Sequence, residues 1–453
     1  MFSPSGKKRY IIWWFVGLLL LFVGSGLVTY TIHNIQASQR VVGARAGTRH
    51  SPYTSSTVRS ISTCRMRICD PPSVFNTNGT PNVIDTWNNI HAFLTFDYKI
   101  ADPSSLGSRY DYEWGTGVSS LTLLHTVNPS MFLSYYLPFH RDNGTFTDSH
   151  ASHSLHYWQS VHPDWILYKC DRITPAYEYN DSNVPFDFTN PEVIAWQMQS
   201  YGVPASTAGY DALAADNVDL GNWFGACGFY RQGQWVQRYS GKADDPQWVA
   251  DVIDWLRQMQ TALHHLPRPI ALIPNLAFGK LAFSDPRLQQ LVSNVDGILD
   301  EDGFTRSAQG YITNDNWLNR VKFMLSVQAQ QKPYYSINQM QTVDRFGIQW
   351  ALASYLMAKE HSAALFISTY QGFGVDAWHD EYTAPIGSPT AEMYRSQNVY
   401  WRNYTNGMAI VNPSATATYK VTLGGTLLDL YGNSVGPTVT LLPHSGLVLL
   451  KHS

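Results

Sequence analysis

The chain is poor in charge. Lys and Arg number 31, Asp and Glu 34, among 453 residues, which is 14% charged residues with a net −3. So sparse and balanced a composition offers no basic field to a polyanion, and nucleic acid is set aside as a partner. Cysteine is scarce too, at Cys64, Cys69, Cys170 and Cys227. These spacings form no paired Cys-x-x-Cys clusters, which argues against zinc, whereas a few thiols suit disulfides in an oxidising exterior. Cys64 with Cys69 and Cys170 with Cys227 is one of the three connectivities open to four cysteines. There is no Gly-x-Ser-x-Gly elbow and no phosphate-cradling glycine loop, so serine-hydrolase and kinase chemistry fail. His150, His153, His156 and His162 match no helical metal motif and read as a solvated loop. No metal site and no cofactor are expected.

The amino terminus carries the one long apolar run. Lys7-Lys8-Arg9 precedes an uncharged stretch from Tyr10 to Ile32, long enough to cross a bilayer at about 20 residues. Basic residues on its N-terminal flank keep that end cytoplasmic. A cleaved signal peptide is the rival, but the Ala-x-Ala site, Ala44-Arg45-Ala46, lies far downstream. The expectation is a single-pass signal anchor in the cell membrane. It has a cytoplasmic basic tail at 1–9, a transmembrane helix at 10–32, a flexible Ser/Thr/Arg/Gly stalk at 33–62 and an extracytoplasmic bulk.

From about residue 90, short apolar runs alternate with amphipathic stretches, the rhythm of repeated βα units. Strands are read at His91–Asp97, Met131–Leu137, Trp165–Cys170, Ala212–Asp216, Pro269–Asn275, Asp296–Glu301, Tyr334–Asn338 and Ala363–Ser368. Helices are predicted to open at Asn190-Pro191-Glu192 and Asp245-Pro246, and to cover Asn316–Gln331 and Arg345–Glu360. From 401 onward, short strands separated by Gly, Pro and Asn predict a small antiparallel β-sandwich. The expected architecture is therefore α/β. A (β/α)8 TIM barrel occupies 63–400, with a C-terminal antiparallel β-sandwich at 401–453 and one transmembrane helix in front.

Two predicted strands stop abruptly at carboxylates. One is Tyr210-Asp-Ala-Leu-Ala-Ala-Asp216-Asn217-Val-Asp219, the other Val295-Asp-Gly-Ile-Leu-Asp300-Glu301-Asp302. In a parallel barrel the carboxyl ends of the strands form the mouth of the active site, and two facing carboxyls there can cleave a glycosidic bond. Other predicted strand ends are polar as well: Asp97-Tyr98, Asn275 and Asn338-Gln339. They form a rim suited to sugar hydroxyls, although loop capping accounts for each taken singly. Trp223 and Trp378 are candidates for stacking on a sugar face, and 15 Trp and 27 Tyr make such rings plentiful, most of them as core filler.

The order Tyr-Asp-x-Leu-x-x-Asp-Asn-Val-Asp followed by Val-Asp-Gly-Ile-x-x-Glu resembles glycoside-hydrolase-like TIM barrels. The nearest resemblance is to the hypothetical glycosyl-hydrolase-like family 15, and a more distant one is to polygalactosaminidase and α-galactosidase barrels. In the α-galactosidase type the nucleophile ends strand four and the acid/base ends strand six. By resemblance these are Asp216 and Glu301. Alternation puts Gly297, Leu299 and Glu301 on one side and Ile298 and Asp300 on the other, but both sides of a barrel strand are apolar, so alternation alone does not choose. Asp97, Tyr98, Asn217, Asp219, Trp223, Asn275, Asp300, Asn338 and Gln339 are the expected substrate contacts. The function expected is a membrane-anchored, cofactor-free glycosidase acting on an oligo- or polysaccharide. The alternatives are a non-catalytic carbohydrate-binding or envelope scaffold on the same barrel, and a metal-dependent hydrolase using Asp97, Asp216 and nearby histidines.

Overall fold

The computed structural model describes residues 85–143, 152–178, 183–306 and 310–452. The expected membrane helix, the stalk, Cys64 and Cys69 lie outside them. Among the described residues no helix is long and apolar enough to cross a membrane.

The protein is an α/β structure organised on parallel strands. Leu94–Thr95 pairs with Tyr112–Trp114, which pairs with Phe132–Pro138, then Ala212–Asp216, then Ala271–Leu272. A parallel bridge from Asn275 to Leu299 leads on to Ile298–Asp300, Tyr334–Met340 and Ala363–Thr369. Leu365 then bridges back to Ala92, and the circuit of parallel pairings closes. Its middle is filled with side chains. The Trp114 indole, on the second strand, donates to the Ile273 carbonyl at 3.2 Å, and Tyr112 stacks on Tyr335 of the seventh at 4.0 Å.

One expected strand is not part of this circuit. Tyr168–Lys169 pairs antiparallel with Ala226–Arg231, which pairs with Gln234–Gln237, a small sheet built from the excursions after the third and fourth strands. The Cys170–Cys227 disulfide ties those two excursions together. The place in the circuit goes to Tyr112–Trp114, whose Tyr-Glu-Trp sequence has no apolar run to announce it; its Glu113 is fully buried. Because the omitted strand and the misplaced one both precede Ala212, the strands ending at Asp216 and Asp300 are still the fourth and sixth.

The helices start where their caps stand. The Asn190 side chain accepts from the Glu192 amide at 3.0 Å, and Asp245 accepts from Gln247 and Trp248 at 2.8 and 3.1 Å. Each satisfies amides that a helix start leaves unpaired, with Pro191 and Pro246 in first positions that need no donor. Helix Pro246–His264 buries Trp248, Val252, Trp255, Leu256, Met259 and Leu263 along one stripe. Helices Asn314–Ala329 and Arg345–Ala358 cover the other two stretches read from the sequence.

The tail is antiparallel. Its main sheet begins at Tyr394–Ser396, ahead of residue 401, and continues through Val399–Tyr404, Gly407–Asn412 and Ser445–Leu450 to Leu427–Asp429 and Ser434–Val435. A second pair, Tyr419–Thr422 with Thr438–Leu441, lies across from it, and Val421, Leu441, Trp401, Ile410 and Leu449 share one core. The opposite face packs on helix Arg345–Ala358, where Gly446 lets the backbones meet: a Cβ there would come within 2.8 Å of the Gln349 carbonyl. Buried Arg402 donates to the carbonyls of Leu356, Met357 and Lys359 at 3.1, 3.2 and 2.7 Å. It thereby answers acceptors that the helix end leaves open.

Candidate active site

Asp216 closes the fourth strand, and two residues of the fifth-strand region pair just beyond it: Val218 with Leu276 and Asp219 with Ala277. That pairing brings Asn275 between Asp216 and Glu301. The Asn275 amide nitrogen donates to Asp216 Oδ1 at 3.0 Å and to Glu301 Oε2 at 2.7 Å. The two carboxylates that end strands four and six are therefore brought together by one side chain.

Asp216 Oδ2 has its own donors. Tyr136, from the third strand, donates its hydroxyl at 2.9 Å, and Asn217 its amide at 2.9 Å. Asn217 reaches back from a left-handed backbone, φ 56°, a conformation Asn tolerates better than most residues. The Arg141 guanidinium stands 3.9 Å from the same oxygen and 3.2 Å from the Tyr136 hydroxyl, and its other nitrogen is paired with Glu178. This shell presents donors that only an acceptor can answer.

Glu301 sits in the opposite electrostatic setting. Burial, and next the Asp216 charge, push its carboxyl up to about 7, against the Asn275 hydrogen bond; Asp302 and Asp300 add smaller pushes. A carboxyl held protonated near neutrality beside one dressed in donors is the division of labour expected of an acid and a nucleophile. Asp219 is also raised to about 7 by burial, but its carboxylate is occupied by the Gly221 amide at 2.6 Å and by the Trp223 indole.

The remaining expected contacts divide. Trp223 is 52% exposed and Tyr98 46% exposed, so both keep surface for a ligand; the Tyr98 ring lies over Gly374, where a Cβ would meet it at 2.7 Å. Gln339 shares the parity of Tyr335 on the seventh strand, and its amide nitrogen is buried with no hydrogen-bond partner among the described residues. Three assignments to substrate are corrected. Asp300 is fully buried and faces the helix layer, bound by Arg320, by the Tyr334 hydroxyl at 2.5 Å and by the amides of Asp302 and Gly303. Asn338 is fully buried too; it accepts from the Phe304 amide at 2.9 Å and donates to Ser336. Both fasten the turn after strand six, where Gly303, φ 42°, leaves no room for a Cβ against the Ile337 carbonyl. Asp97 is buried, accepting from the Gly117 amide at 3.2 Å beside the buried Glu113.

Trp378 is packed rather than presented: Tyr110 and Tyr382 meet it edge-on and Arg109 lies 6.0 Å from its ring. The histidine stretch contains a helix, Leu155–Val161, and His162 stacks on Trp165 at 3.8 Å, so the described part is no solvated loop; His150 lies outside the described residues. Among the described residues, no group of three or more His, Cys, Asp or Glu is placed to hold a metal. The sequence reading missed Tyr136, Arg141 and Glu178. The run Tyr135-Tyr136-Leu137-Pro138-Phe139-His140-Arg141, polar at the end of an apolar strand, was the available signal for the first two. His140 within it is sealed among Phe139, Phe188, Phe224 and Trp248, and burial, then Arg141, pushes its ring down to about 3. At ordinary pH the ring is neutral.

No family model matches the chain, and no curated protein matches its sequence. Solved structures do superpose on it. An Anoxybacillus α-amylase is 12% identical with a TM-score of 0.43, covering 74% of this chain and 79% of its own. An α-amylase of Lactobacillus plantarum is 10% identical with a TM-score of 0.43, covering 79% and 98%. A Flavobacterium johnsoniae dextranase in complex with glucose is 12% identical with a TM-score of 0.44, covering 82% and 52%. All three are glycoside hydrolases. At such identities and scores they carry no inference about what this chain does, which must come from its own residues.

Proposed function

We propose that the chain is a retaining glycoside hydrolase on a (β/α)8 barrel, with Asp216 as nucleophile and Glu301 as general acid and base. The observation that carries the proposal is the single Asn275 nitrogen bonded to both carboxyls. Its two distances together cap the gap between those oxygens at about 6 Å. Inverting enzymes keep their carboxyl groups roughly 6.5–9.5 Å apart to fit a water and retaining ones roughly 5–5.5 Å, and a shared hydrogen-bond donor favours the closer pairing.

Asn275 also assigns the oxygens. Because it donates to Glu301 Oε2, the acid proton sits on Oε1, the oxygen available to a leaving group. Tyr136 and Asn217 both hold Asp216 Oδ2 while Oδ1 accepts from Asn275, so the less crowded Oδ1 is the attacking atom. In the first step Glu301 gives its proton to the glycosidic oxygen, the bond from that oxygen to the anomeric carbon breaks, and Asp216 Oδ1 bonds to the carbon. In the second, Glu301 takes a proton from water, the water oxygen bonds to the anomeric carbon, and Asp216 leaves. Exposed Trp223 and Tyr98 supply flat surface for the sugar's apolar faces. Anchoring through residues 10–32, with the bulk outside the cytoplasm, completes the proposal, and the Cys170–Cys227 disulfide supports an oxidising location.

The test is release of reducing ends from a broad panel of oligo- and polysaccharides, with the first product anomer read by NMR. Retention is expected; inversion would overturn Asp216 as nucleophile, and silence across the panel would favour a binding scaffold. The pH profile follows from Glu301. The acid must be protonated, so kcat/KM is expected to hold below neutrality and fall about tenfold per unit above a limb near 7. The same shift predicts a stability effect. A carboxyl whose folded value is raised from 4.5 to about 7 favours the fold below 4.5 and loses that contribution as pH rises through 7. Glu301→Gln should therefore gain stability relative to wild type at pH 8 and not at pH 4.

A further inference from the structure

The pair that flanks the nucleophile is more than scaffolding. Arg141 and Glu178 are 4% and 5% exposed and joined directly, so water screens neither charge. Arg141 nonetheless stops 3.9 Å from Asp216 Oδ2, beyond hydrogen-bond reach, and spends the same nitrogen on the Tyr136 hydroxyl at 3.2 Å. A guanidinium this close to a second carboxylate would ordinarily close on it, because the two-pronged pairing is strong. Closing would draw electron density from the carboxylate that must attack. Glu178, paired with the other terminal guanidinium nitrogen, pulls the other way. It follows a turn in which Tyr168 bridges to Pro175 and the Ala176 amide donates to the Leu167 carbonyl at 2.9 Å, beside the Cys170–Cys227 disulfide.

Resting on the glycosidase reading above, we propose that Glu178 is a positioning residue. By holding Arg141 off Asp216, it leaves Oδ2 to Tyr136 and Asn217, which orient the nucleophile, and keeps Asp216 Oδ1 reactive. Arg141 then acts through Tyr136, polarising its hydroxyl, and not as a direct partner of the nucleophile.

Glu178→Gln keeps the shape and removes the charge. Crystal structures of the wild type and this variant should show the Arg141–Asp216 contact shortening from 3.9 Å to hydrogen-bond distance. In kinetics, kcat should fall about tenfold with KM little changed, since the lost effect belongs to the attack and not to sugar binding. Glu178→Asp, which retains the charge, should restore most of the rate. If Glu178→Gln folds poorly, the double variant Glu178→Gln/Arg141→Met removes both charges, and the proposal expects it to be faster than Arg141-containing Glu178→Gln under folding-permissive conditions. An Arg141 that stays in place in Glu178→Gln, an unchanged kcat, or a loss confined to KM would overturn the proposal. The two readings separate cleanly. A wild type silent on every glycoside sinks the glycosidase assignment, while an unmoved Arg141 sinks the restraint whatever the panel shows.

Discussion

Asp216→Asn is expected to lower kcat/KM by at least about 10³-fold on any glycoside the wild type cleaves, with the fold unchanged. The amide is nearly isosteric but cannot form the covalent intermediate. It also reverses part of the local polarity, because its NH₂ would point donors at the donors of Asn275, Asn217 or Tyr136. The size of the loss alone does not define a nucleophile. Asp216→Ala opens space beside Asn275, and added azide should restore turnover there with a glycosyl azide of inverted configuration as product. Rescue by azide would place the lost carboxylate at the anomeric carbon. Full activity in Asp216→Asn would refute the assignment outright. Circular dichroism and Tm should match wild type closely, because Asp216 sits at a strand end with part of its surface open.

Arg320→Ala is expected to have the largest effect on stability, about 3–5 kcal/mol, because it strands the fully buried Asp300 without its cation. The two side chains are 6% and 1% exposed, and Asp300 also takes the Tyr334 hydroxyl and the amides of Asp302 and Gly303. Removing one charge leaves the other desolvated, whereas replacing both with apolar groups of similar size should cost far less. Calorimetry on Arg320→Ala, Asp300→Leu and the double variant tests this. The double variant should be more stable than either single one. An Arg320→Ala protein within about 1 kcal/mol of wild type would show that water reaches the pair. The same experiment separates Asp300 from its neighbour Glu301, since variants at Asp300 should lose stability at every pH where the pair is charged and leave substrate affinity alone.

That neighbouring pair marks the limit of what the sequence disclosed. Alternation separated Glu301 from Asp300, but with apolar residues on both faces of the strand it could not say which face turned inward. Arg320, on a helix later in the chain, settles it by drawing Asp300 outward. Asp216 was legible because a charge-free strand ended on it. Asn275 was legible only as one of several polar strand ends; its two hydrogen bonds, to Asp216 and to Glu301, depend on strands brought together by the fold. Tyr136 was one tyrosine among 27, marked only by the polar end of its strand. Glu178 lies in the excursion after the third strand, 37 residues beyond its partner in space, Arg141, and no pattern predicts that pairing. Tyr112–Trp114 was invisible for a related reason: its buried Glu113 breaks the apolar run by which strands are recognised.

Arg402 carries one more consequence. It belongs to the C-terminal sheet, yet its donors complete the end of a helix that runs between the seventh and eighth parallel strands. Neither part is whole without the other: cut away, the sheet would bare both those carbonyls and the apolar face of the helix. The two should therefore melt in a single cooperative transition, and the tail is a keystone of the protein's architecture, not an appendage that could be exchanged for another module.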